Sequence, residues 1–266
     1  MKTLRAALLL IALLAPAAAH ATHDIGQGYH LLRVADSGAA LLAACDVQVS
    51  EPPILRVISR TGRVMKTLQA PWDDTGDVLC GDPAKLAPVF AEHPELAEAI
   101  ARYDLEHVPV TSETSPDGRH HVFWAIDYLR AEVELLSAGR SRPVKTDRLR
   151  AKAGISSIHF GFYVAWHPDG RFGYLVGQRA SGVVPSCQVW EPVVRVFRTP
   201  KTKAEPLDPE RIADRYLRWA AVRTKRCERR NDVDACSAAD TMIRRAMRLA
   251  PGYAPAQSAL DGIPWP

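Results

Sequence analysis

Aspartate side chains are the first residues of this chain whose spacing could support chemistry. Four of them fall within ten positions of one another, Asp73, Asp74, Asp77 and Asp82. Closely spaced carboxylates can bind hard cations such as Ca²⁺, but the glycines of this segment do not fall where a calcium-binding loop needs them. We therefore interpret the segment as a solvated turn that ends in a helix cap, and expect no metal there.

Histidine is the second candidate for metal or acid–base chemistry. His120 and His121 adjoin one another in a predicted strand, where neighbouring side chains face opposite sides and cannot easily bind one ion. His107 and His159 each precede, by ten residues, the aspartate of a Pro-Asp-Gly turn, which indicates a repeated position. Histidine in a strand is more often structural than a ligand or a general base. We expect neither a cofactor nor a metal ion.

Established catalytic motifs are missing from the sequence. There is no Gly-x-Ser-x-Gly elbow, no His-Glu-x-x-His, no Ser-x-x-Lys and no phosphate-binding glycine loop, and each of these marks a known chemistry. Catalytic groups can also converge from distant positions. The pattern favours a protein without enzymatic activity, and an enzyme is kept as the alternative.

Residues 1–21 have the pattern of a signal peptide. Lys2 and Arg5 precede an apolar run, and small residues surround His20, which predicts cleavage after Ala21. The run is too short to cross a bilayer, and no later segment approaches the ~20 apolar residues of a transmembrane helix. We expect a periplasmic or secreted protein, without a transmembrane segment and without a nucleic-acid partner.

Five cysteines in an exported chain are candidates for disulfides. Cys227 and Cys236 flank a short polar loop and are predicted to pair. Cys45, Cys80 and Cys187 allow three pairings with one thiol left over. We favour Cys45 with Cys80, because both lie in the N-terminal part.

The sequence Pro-Asp-Gly-Arg occurs twice between apolar runs, at 116–119 and at 168–171. Proline, aspartate and glycine are residues that close short hairpins, so each copy predicts a hairpin tip between two strands. A third strand-like run follows each pair. Asp36, Ser37 and Gly38 stand in a similar upstream unit, which gives three copies of strand, turn, strand, turn, strand.

These units resemble the β-propeller repeats of the TolB type, whose blades carry Ser-Pro-Asp-Gly-Arg before an apolar strand. Residues 115–119 match that pattern fully, 167–171 match all but the first residue, and 36–38 lack the proline and the arginine. The resemblance covers 29–199 and implies stacked antiparallel sheets. Propellers have four to eight blades and only three copies are recognisable. A diverged blade, an open and covered sheet, and a β-sandwich therefore remain alternatives, and an uncovered edge would favour a dimer.

Two segments interrupt the β pattern. Residues 82–105 carry apolar side chains at helical spacing, divided by Pro88 and Pro94, which predicts an inserted helix pair. Residues 139–153 are rich in arginine and lysine and are predicted to be a solvated basic linker. The β-rich domain is thus expected to span 22–200.

The spacing of apolar residues changes to a helical period after Pro200, so 201–266 is predicted to be a helical hairpin. Ala239, Ile243, Ala246 and Pro251 fall at the spacing of the second helix of a tetratricopeptide repeat, which this segment resembles. A single unit of that family cannot bury its apolar face alone. We expect it to dock on the β domain, which makes the protein a β-rich α+β fold with an antiparallel propeller-like or open meander sheet.

Charge is divided unevenly along the chain. Residues 22–138 have a net charge of −9 and residues 139–266 a net charge of +11. Oppositely charged halves can pack on each other or bind an anionic surface. The side chains proposed to contact a partner are four arginines of the C-terminal helices, Arg226, Arg230, Arg244 and Arg248.

The function that these patterns favour is that of an exported, non-enzymatic protein-interaction protein. An immunity or inhibitor protein that blocks a toxin or a hydrolase is the narrower version. The alternative is a secreted hydrolase whose site is built from the aspartates of residues 73–82 and the histidines near the hairpin tips. That alternative predicts that His107, His121, His159 and Asp77 converge on one pocket.

Overall fold

The computed structural model describes residues 27–46, 54–69, 93–127, 130–150, 161–184 and 187–264. The described residues form three antiparallel sheets and four helices, a mixed α+β fold. Several predictions fall on residues outside the described ranges: the predicted signal peptide, the four aspartates of residues 73–82, Cys80, His159 and the first half of the predicted helix pair.

The first sheet, sheet 1, contains four strands in chain order. These strands are β1 (Gln27–Val34), β2 (Ala40–Asp46), β3 (Ile54–Ile58) and β4 (Val64–Gln69). Each pairs antiparallel with the next, and the register shifts between Leu31 and Arg33 and between Val57 and Ile58. The three strand runs expected in this unit and the turn at 36–38 are therefore present, and the second expected turn lies outside the described residues.

The other two sheets take their strands from the rest of the β region. Sheet 2 has the order β11-β10-β9-β5, formed by Cys187–Arg198, Phe172–Val184, Gly161–Trp166 and Val110–Thr111. Sheet 3 has the order β6-β7-β8, formed by His120–Asp127, Arg130–Ser137 and Lys145–Arg150.

Strand β8 lies within the segment that the sequence predicted to be a basic linker. The side chain of Leu149, which belongs to this strand, is buried. The ammonium group of Lys145 lies 5.1 Å from the centre of the Phe197 ring, and Asp147 accepts a 2.6 Å hydrogen bond from Arg195. One buried side chain and antiparallel pairing to β7 are enough to hold a charged strand, and charge is common on edge strands. The linker prediction was wrong here because the high proportion of basic residues is typical of a solvated segment.

Two of the four described helices begin at an aspartate cap. Helix α1 is Pro94–Arg102, α2 is Pro209–Arg230, α3 is Val233–Leu249 and α4 is Ala254–Asp261. Asp208 and Asp232 accept hydrogen bonds from the first turns of α2 and α3, as helix caps do. In the part of the chain that is described, no helix has the length and apolarity needed to cross a membrane.

Sheet 2 lies between the other two sheets, and both of its faces are buried. Phe172, Tyr174 and Val176 of β10 pack against sheet 1, whereas Leu175 of the same strand packs against sheet 3. Alternate residues of a strand face opposite sides, so one continuous apolar run supplies two cores. This explains why the runs around the second Pro-Asp-Gly-Arg turn contain few polar residues.

Helices cover the outer faces of sheets 1 and 3. Leu96 and Ala99 of α1 pack on sheet 1, and Phe123 and Ala125 of β6 pack against α2 and α3. The described residues thus form five layers in the order α1, sheet 1, sheet 2, sheet 3 and the C-terminal helices. The expected docking of the helical hairpin on the β region is confirmed, and it accounts for how a single hairpin buries its apolar face.

The disulfide predicted between Cys227 and Cys236 is present and joins α2 to α3. Both cysteines are buried in the core that the two helices share. Nothing described tests the predicted pairing of Cys45 with Cys80.

Candidate functional site

Four tight turns share one backbone arrangement. In each, the glycine N–H donates to the carbonyl three residues earlier, as Gly38 does to Ala35, Gly62 to Ser59, Gly118 to Ser115 and Gly170 to His167. All four glycines have φ between 70° and 84°, a conformation that favours glycine. The first residue of each turn also donates its N–H to a later carbonyl. That carbonyl lies four residues later in the turns of Gly38 and Gly62, and five residues later in the two Pro-Asp-Gly-Arg turns. The sequence therefore identified the glycine turns at 36–38, 116–119 and 168–171. It was wrong about the strand before the first Pro-Asp-Gly-Arg turn, because β5 pairs with β9 of sheet 2 and not with β6.

Asp36 looks like the turn aspartate in the sequence, but Ser37 performs that role. The hydroxyl of Ser37 accepts a hydrogen bond from the N–H of Ala39, as Asp117 and Asp169 accept from the N–H of the arginine two residues later. Asp36 consequently occupies the position of the proline in the other turns. Its carboxylate is not needed within the turn and is directed to groups outside it.

His107 is placed beside Asp36 by the end of α1 and by a backbone bridge. The helix ends with Asp104 in the left-handed conformation (φ 52°) and with the Leu105 N–H bonded to the Ile100 carbonyl, which is a Schellman motif. Two residues later, the N–H and C=O of His107 bond to those of Val34. Because Val34 lies two residues before Asp36, the imidazole of His107 comes within hydrogen-bond distance of that carboxylate.

His167 occupies the position that Ser115 holds in the other Pro-Asp-Gly-Arg turn. The Ser115 hydroxyl donates to Asp117 at 2.6 Å, and Nδ1 of His167 lies 2.6 Å from Oδ1 of Asp169. Burial raises the pKa of Asp169, but the hydrogen bonds from the Arg171 N–H and from His167, together with the Arg171 guanidinium, outweigh it and lower the pKa. An ionised carboxylate only accepts, so Nδ1 of His167 carries the proton.

Asp36, His107 and His167 form a compact group, which we call the Asp36 cluster. Oδ1 of Asp36 lies 3.1 Å from Nε2 of His107 and 3.2 Å from Nε2 of His167. All three atoms are within 4.8 Å of one another, and the rings meet edge to face at 4.6 Å. Oδ2 of Asp36 lies 3.3 Å from Arg171, which also pairs with Asp169.

The Asp36 cluster adjoins an open groove of about 870 Å³. Its lining includes Asp36, Asp117 and Asp169 and also residues 198–203, among them Arg198, Lys201 and Lys203. Arg119 donates to the carbonyl of Ala204, directly after this segment. The two turn arginines thus have different roles, because Arg119 fixes a backbone segment whereas Arg171 joins two carboxylates.

His120 and His121 have separate partners, as the strand geometry predicted. His120 is bonded to Ser137, and burial lowers the pKa of His120. His121 lies between the hydroxyls of Thr114 and Tyr216. Its complete burial, followed by the charge of Arg245, lowers the pKa of His121 to about 3, so this imidazole is neutral and ties the β domain to α2.

The hydrolase alternative required four side chains to converge. Of these, His107 belongs to the Asp36 cluster and His121 to the interface with α2. Asp77 and His159 lie outside the described residues. The described contacts therefore do not bring His107 and His121 into one site.

The four arginines proposed for a partner differ in their surroundings. Arg226 pairs with Asp232, and Arg244 forms a bond to both oxygens of Asp240. Arg230 and Arg248 are exposed. Two of the four charges are therefore already compensated within the C-terminal helices.

A second group of arginines meets at the junction of sheet 3 and α2. A cleft of about 160 Å³ is lined there by Arg140, Arg142, Arg211, Arg215 and Arg218, which together we call the arginine cleft. Arg215 pairs with the buried Glu134, and Arg211 donates to the backbone carbonyl of Arg140. The other three are exposed, and no acidic residue is among the described side chains that line the cleft.

Sequence reasoning missed both the Asp36 cluster and the arginine cleft. The cluster joins residues up to 131 positions apart, so no local motif contains it. The cleft had a visible signal, because Arg211, Arg215 and Arg218 follow helical spacing, but their partners Arg140 and Arg142 lay in the presumed linker. No protein-family model, curated protein or solved structure matches this chain.

Proposed function

We propose that this chain is an exported, non-enzymatic protein-interaction protein whose arginine cleft binds an acidic segment of a protein partner. The observation that carries the proposal is the convergence of five arginines on one cleft without an acid in its described lining. Like charges that face each other raise the free energy of the isolated protein. A bound carboxylate would relieve that repulsion.

The size and chemistry of the cleft favour a peptide side chain over a larger molecule. Its volume of about 160 Å³ is below the ~300–1,000 Å³ of typical small-molecule sites. Guanidinium groups bind carboxylates through two parallel hydrogen bonds. Leu136, Leu207 and Ile212 add apolar contacts, so an acidic residue flanked by apolar ones is the expected occupant.

We propose further that the three sheets are a partial propeller of the TolB type, with helices covering its first and last sheets. Two observations support this. A turn with a left-handed glycine recurs in each of the three units, and sheets that are neighbours in space pack face to face. In this arrangement α1 and the C-terminal helices take the place of missing blades.

The export signal at 1–21 is part of the proposal. The disulfide between Cys227 and Cys236 supports an oxidising compartment such as the periplasm or the extracellular space. A dimer remains a prediction for solution measurements of mass.

The experiment is affinity capture of partners from a periplasmic or secreted fraction. Arg142→Glu/Arg211→Glu/Arg218→Glu reverses three cleft charges, and we expect it to weaken a specific partner by at least about tenfold, since truncating a desolvated charged group costs ~2 kcal/mol or more. Binding should also weaken with rising salt. The measurement is the Kd of the captured partner for each variant.

Arg229→Glu/Arg230→Glu/Arg248→Glu is the matched control. It changes the same number of charges on the C-terminal helices but leaves the cleft intact, so it should retain binding. Equal loss in both variants would mean that net charge, not the cleft, attracts the partner. A partner that is a lipid or a cell-wall polymer, or turnover of a substrate without a protein partner, would contradict the proposal.

A secreted hydrolase is the second candidate, and one observation favours it. The Asp36 cluster places two imidazoles and a carboxylate beside an open groove. Imidazoles and carboxylates are groups that act as general acids and bases in hydrolytic sites. This candidate uses Asp36 and His167 in addition to the His107 that the sequence suggested. Loss of a measured hydrolytic activity in Asp36→Asn and His107→Gln, but not in His121→Gln, would support it.

A further inference from the structure

We infer that the Asp36 cluster is a binding site for one divalent transition-metal ion, with Asp36 Oδ1, His107 Nε2 and His167 Nε2 as ligands and Asp169 as the group that orients His167. This inference is independent of the arginine cleft. It also does not require catalytic activity.

The spacing of the three atoms fits a common ion. Ligands ~2.0–2.1 Å from zinc at tetrahedral angles are about 3.3 Å apart. Asp36 Oδ1 lies 3.1 Å and 3.2 Å from the two Nε2 atoms. The two Nε2 atoms lie within 4.8 Å of each other, so the two imidazoles must approach by no more than about 1.5 Å to place all three atoms around one ion.

The hydrogen bonding of His167 leaves one ring nitrogen available. Nδ1 lies 2.6 Å from Asp169, so Nε2 is the ring nitrogen that faces the proposed ion. That nitrogen is buried, and no described group forms a well-aligned hydrogen bond with it. Histidines that bind a metal through one ring nitrogen commonly donate the N–H of the other to a carboxylate. Asp169 would have that role for His167.

The identity of the ligands selects the class of metal. Two imidazoles and one carboxylate suit zinc and its first-row neighbours, whereas Ca²⁺ and Mg²⁺ prefer oxygen ligands alone. Arg171 contacts Oδ2 of Asp36, whereas Oδ1 is bonded to His107 Nε2, so an ion would replace that hydrogen bond. Asp36 and His107 are partly exposed, at 60% and 40% of their side-chain areas, so a fourth position is open to water or to a ligand from the groove.

The ligands come from three distant parts of the fold. Asp36 lies in the β1–β2 turn, His107 in the loop after α1, and His167 in the β9–β10 turn. A bound ion would therefore join sheet 1, sheet 2 and the loop after α1, and should raise resistance to unfolding.

The experiment is zinc binding to the exported chain, purified without a histidine tag and stripped with EDTA. Competition with a chromogenic chelator should give one equivalent of bound Zn²⁺. Asp36→Asn and His107→Ala, which alter partly exposed side chains, should each weaken binding at least about tenfold, and Asp169→Asn should weaken it about 10- to 100-fold.

Asp117→Asn is the matched control, because Asp117 has the same turn position as Asp169 but no place in the cluster. It should bind zinc as the unchanged protein does. Circular dichroism should show that all variants are folded. Absence of a zinc equivalent, unchanged affinity in Asp36→Asn and His107→Ala, or equal weakening by Asp117→Asn and Asp169→Asn would each overturn the inference.

Discussion

The two Pro-Asp-Gly-Arg turns have the same backbone and opposite consequences. In the first, Ser115 bonds to Asp117, and Arg119 fixes the segment that leads to the C-terminal helices. In the second, His167 replaces the serine, and Arg171 joins Asp169 to Asp36. Proline, aspartate and glycine explain both turns as turns. The first residue and the arginine decide what else each turn does.

The same contrast separates two buried histidines. His121 has a partner on each ring nitrogen and lies in the interface between β6 and α2. His167 has a strong partner on Nδ1 alone, and its Nε2 faces Asp36 and His107 without a well-aligned hydrogen bond in the described structure. Burial is therefore no guide to role by itself. What matters is whether both ring nitrogens are satisfied within the fold.

Replacing each histidine by alanine should give the largest effects. His121→Ala removes a buried ring and leaves two hydroxyls unpaired, so we expect the unfolding free energy to fall by about 3–5 kcal/mol. Zinc at a hundredfold excess over its Kd should stabilise that variant by about 2.7 kcal/mol, as it does the unchanged protein. His167→Ala should lose the zinc-dependent stabilisation.

Urea unfolding in EDTA and in zinc measures both quantities. Each variant is compared with itself under the two conditions, so a general loss of stability does not affect the comparison. Equal stabilisation of both variants by zinc would show that His167 is not a ligand. Loss of the zinc effect in His121→Ala alone would reverse the roles assigned to the two residues.

The pH dependence of stability should sharpen the comparison next. The pKa of His121 is lowered to about 3 in the folded protein, against an ordinary value of ~6.5. As pH falls below ~6.5, the unfolded chain binds a proton that the folded protein does not, so stability decreases by about 1.4 kcal/mol per pH unit. In His121→Gln, the slope of unfolding free energy against pH should therefore be smaller by the equivalent of about one bound proton.

The measurement is urea unfolding between pH 6.5 and pH 5 in EDTA. Asp117 and Asp169 have lowered pKa values, so their contribution is lost at lower pH, outside this window. Burial also lowers the pKa of His120, which leaves a residual slope in the variant. An unchanged slope in His121→Gln would mean that the buried imidazole is not the group that resists protonation.

The sequence predicted the parts of the fold that local chemistry determines. It identified the glycine turns, most strand runs, the helical C-terminal segment and the disulfide between Cys227 and Cys236. It did not reveal the β8 strand. Among the residues of this strand whose burial is described, Leu149 alone is buried, and most of its neighbours are charged. Nor could it show that Ser37, and not Asp36, completes its turn, since either side chain can accept that hydrogen bond.

The Asp36 cluster could not be predicted from the sequence for a different reason. His107 was noticed for its offset from a turn, but its position depends on the Schellman end of α1 and on a bridge to Val34. His167 looked like a substituted serine in a known turn. The roles of both residues follow from how sheets 1 and 2 pack, and packing between distant segments leaves no fixed spacing in a sequence.

The smallest difference should come from the turn glycines. Gly118→Ala and Gly170→Ala each force a side chain into φ near +70° to +75°, at a cost of about 1–2 kcal/mol. A Cβ at Gly118 would lie 3.1 Å from Pro206, and one at Gly170 would lie 3.5 Å from Asp117. Gly118→Ala should therefore cost slightly more, by less than about 1 kcal/mol.

Gly252→Ala is the reference for this pair, because Gly252 has φ 81° and a Cβ there meets nothing within 4 Å. Its loss of unfolding free energy measures the backbone cost alone. If the two turns differ from it by small amounts, their backbones are equivalent, and the contrast between them lies in Ser115, His167 and the two arginines. A much larger cost at Gly170 would instead place part of the difference in the backbone that supports the Asp36 cluster.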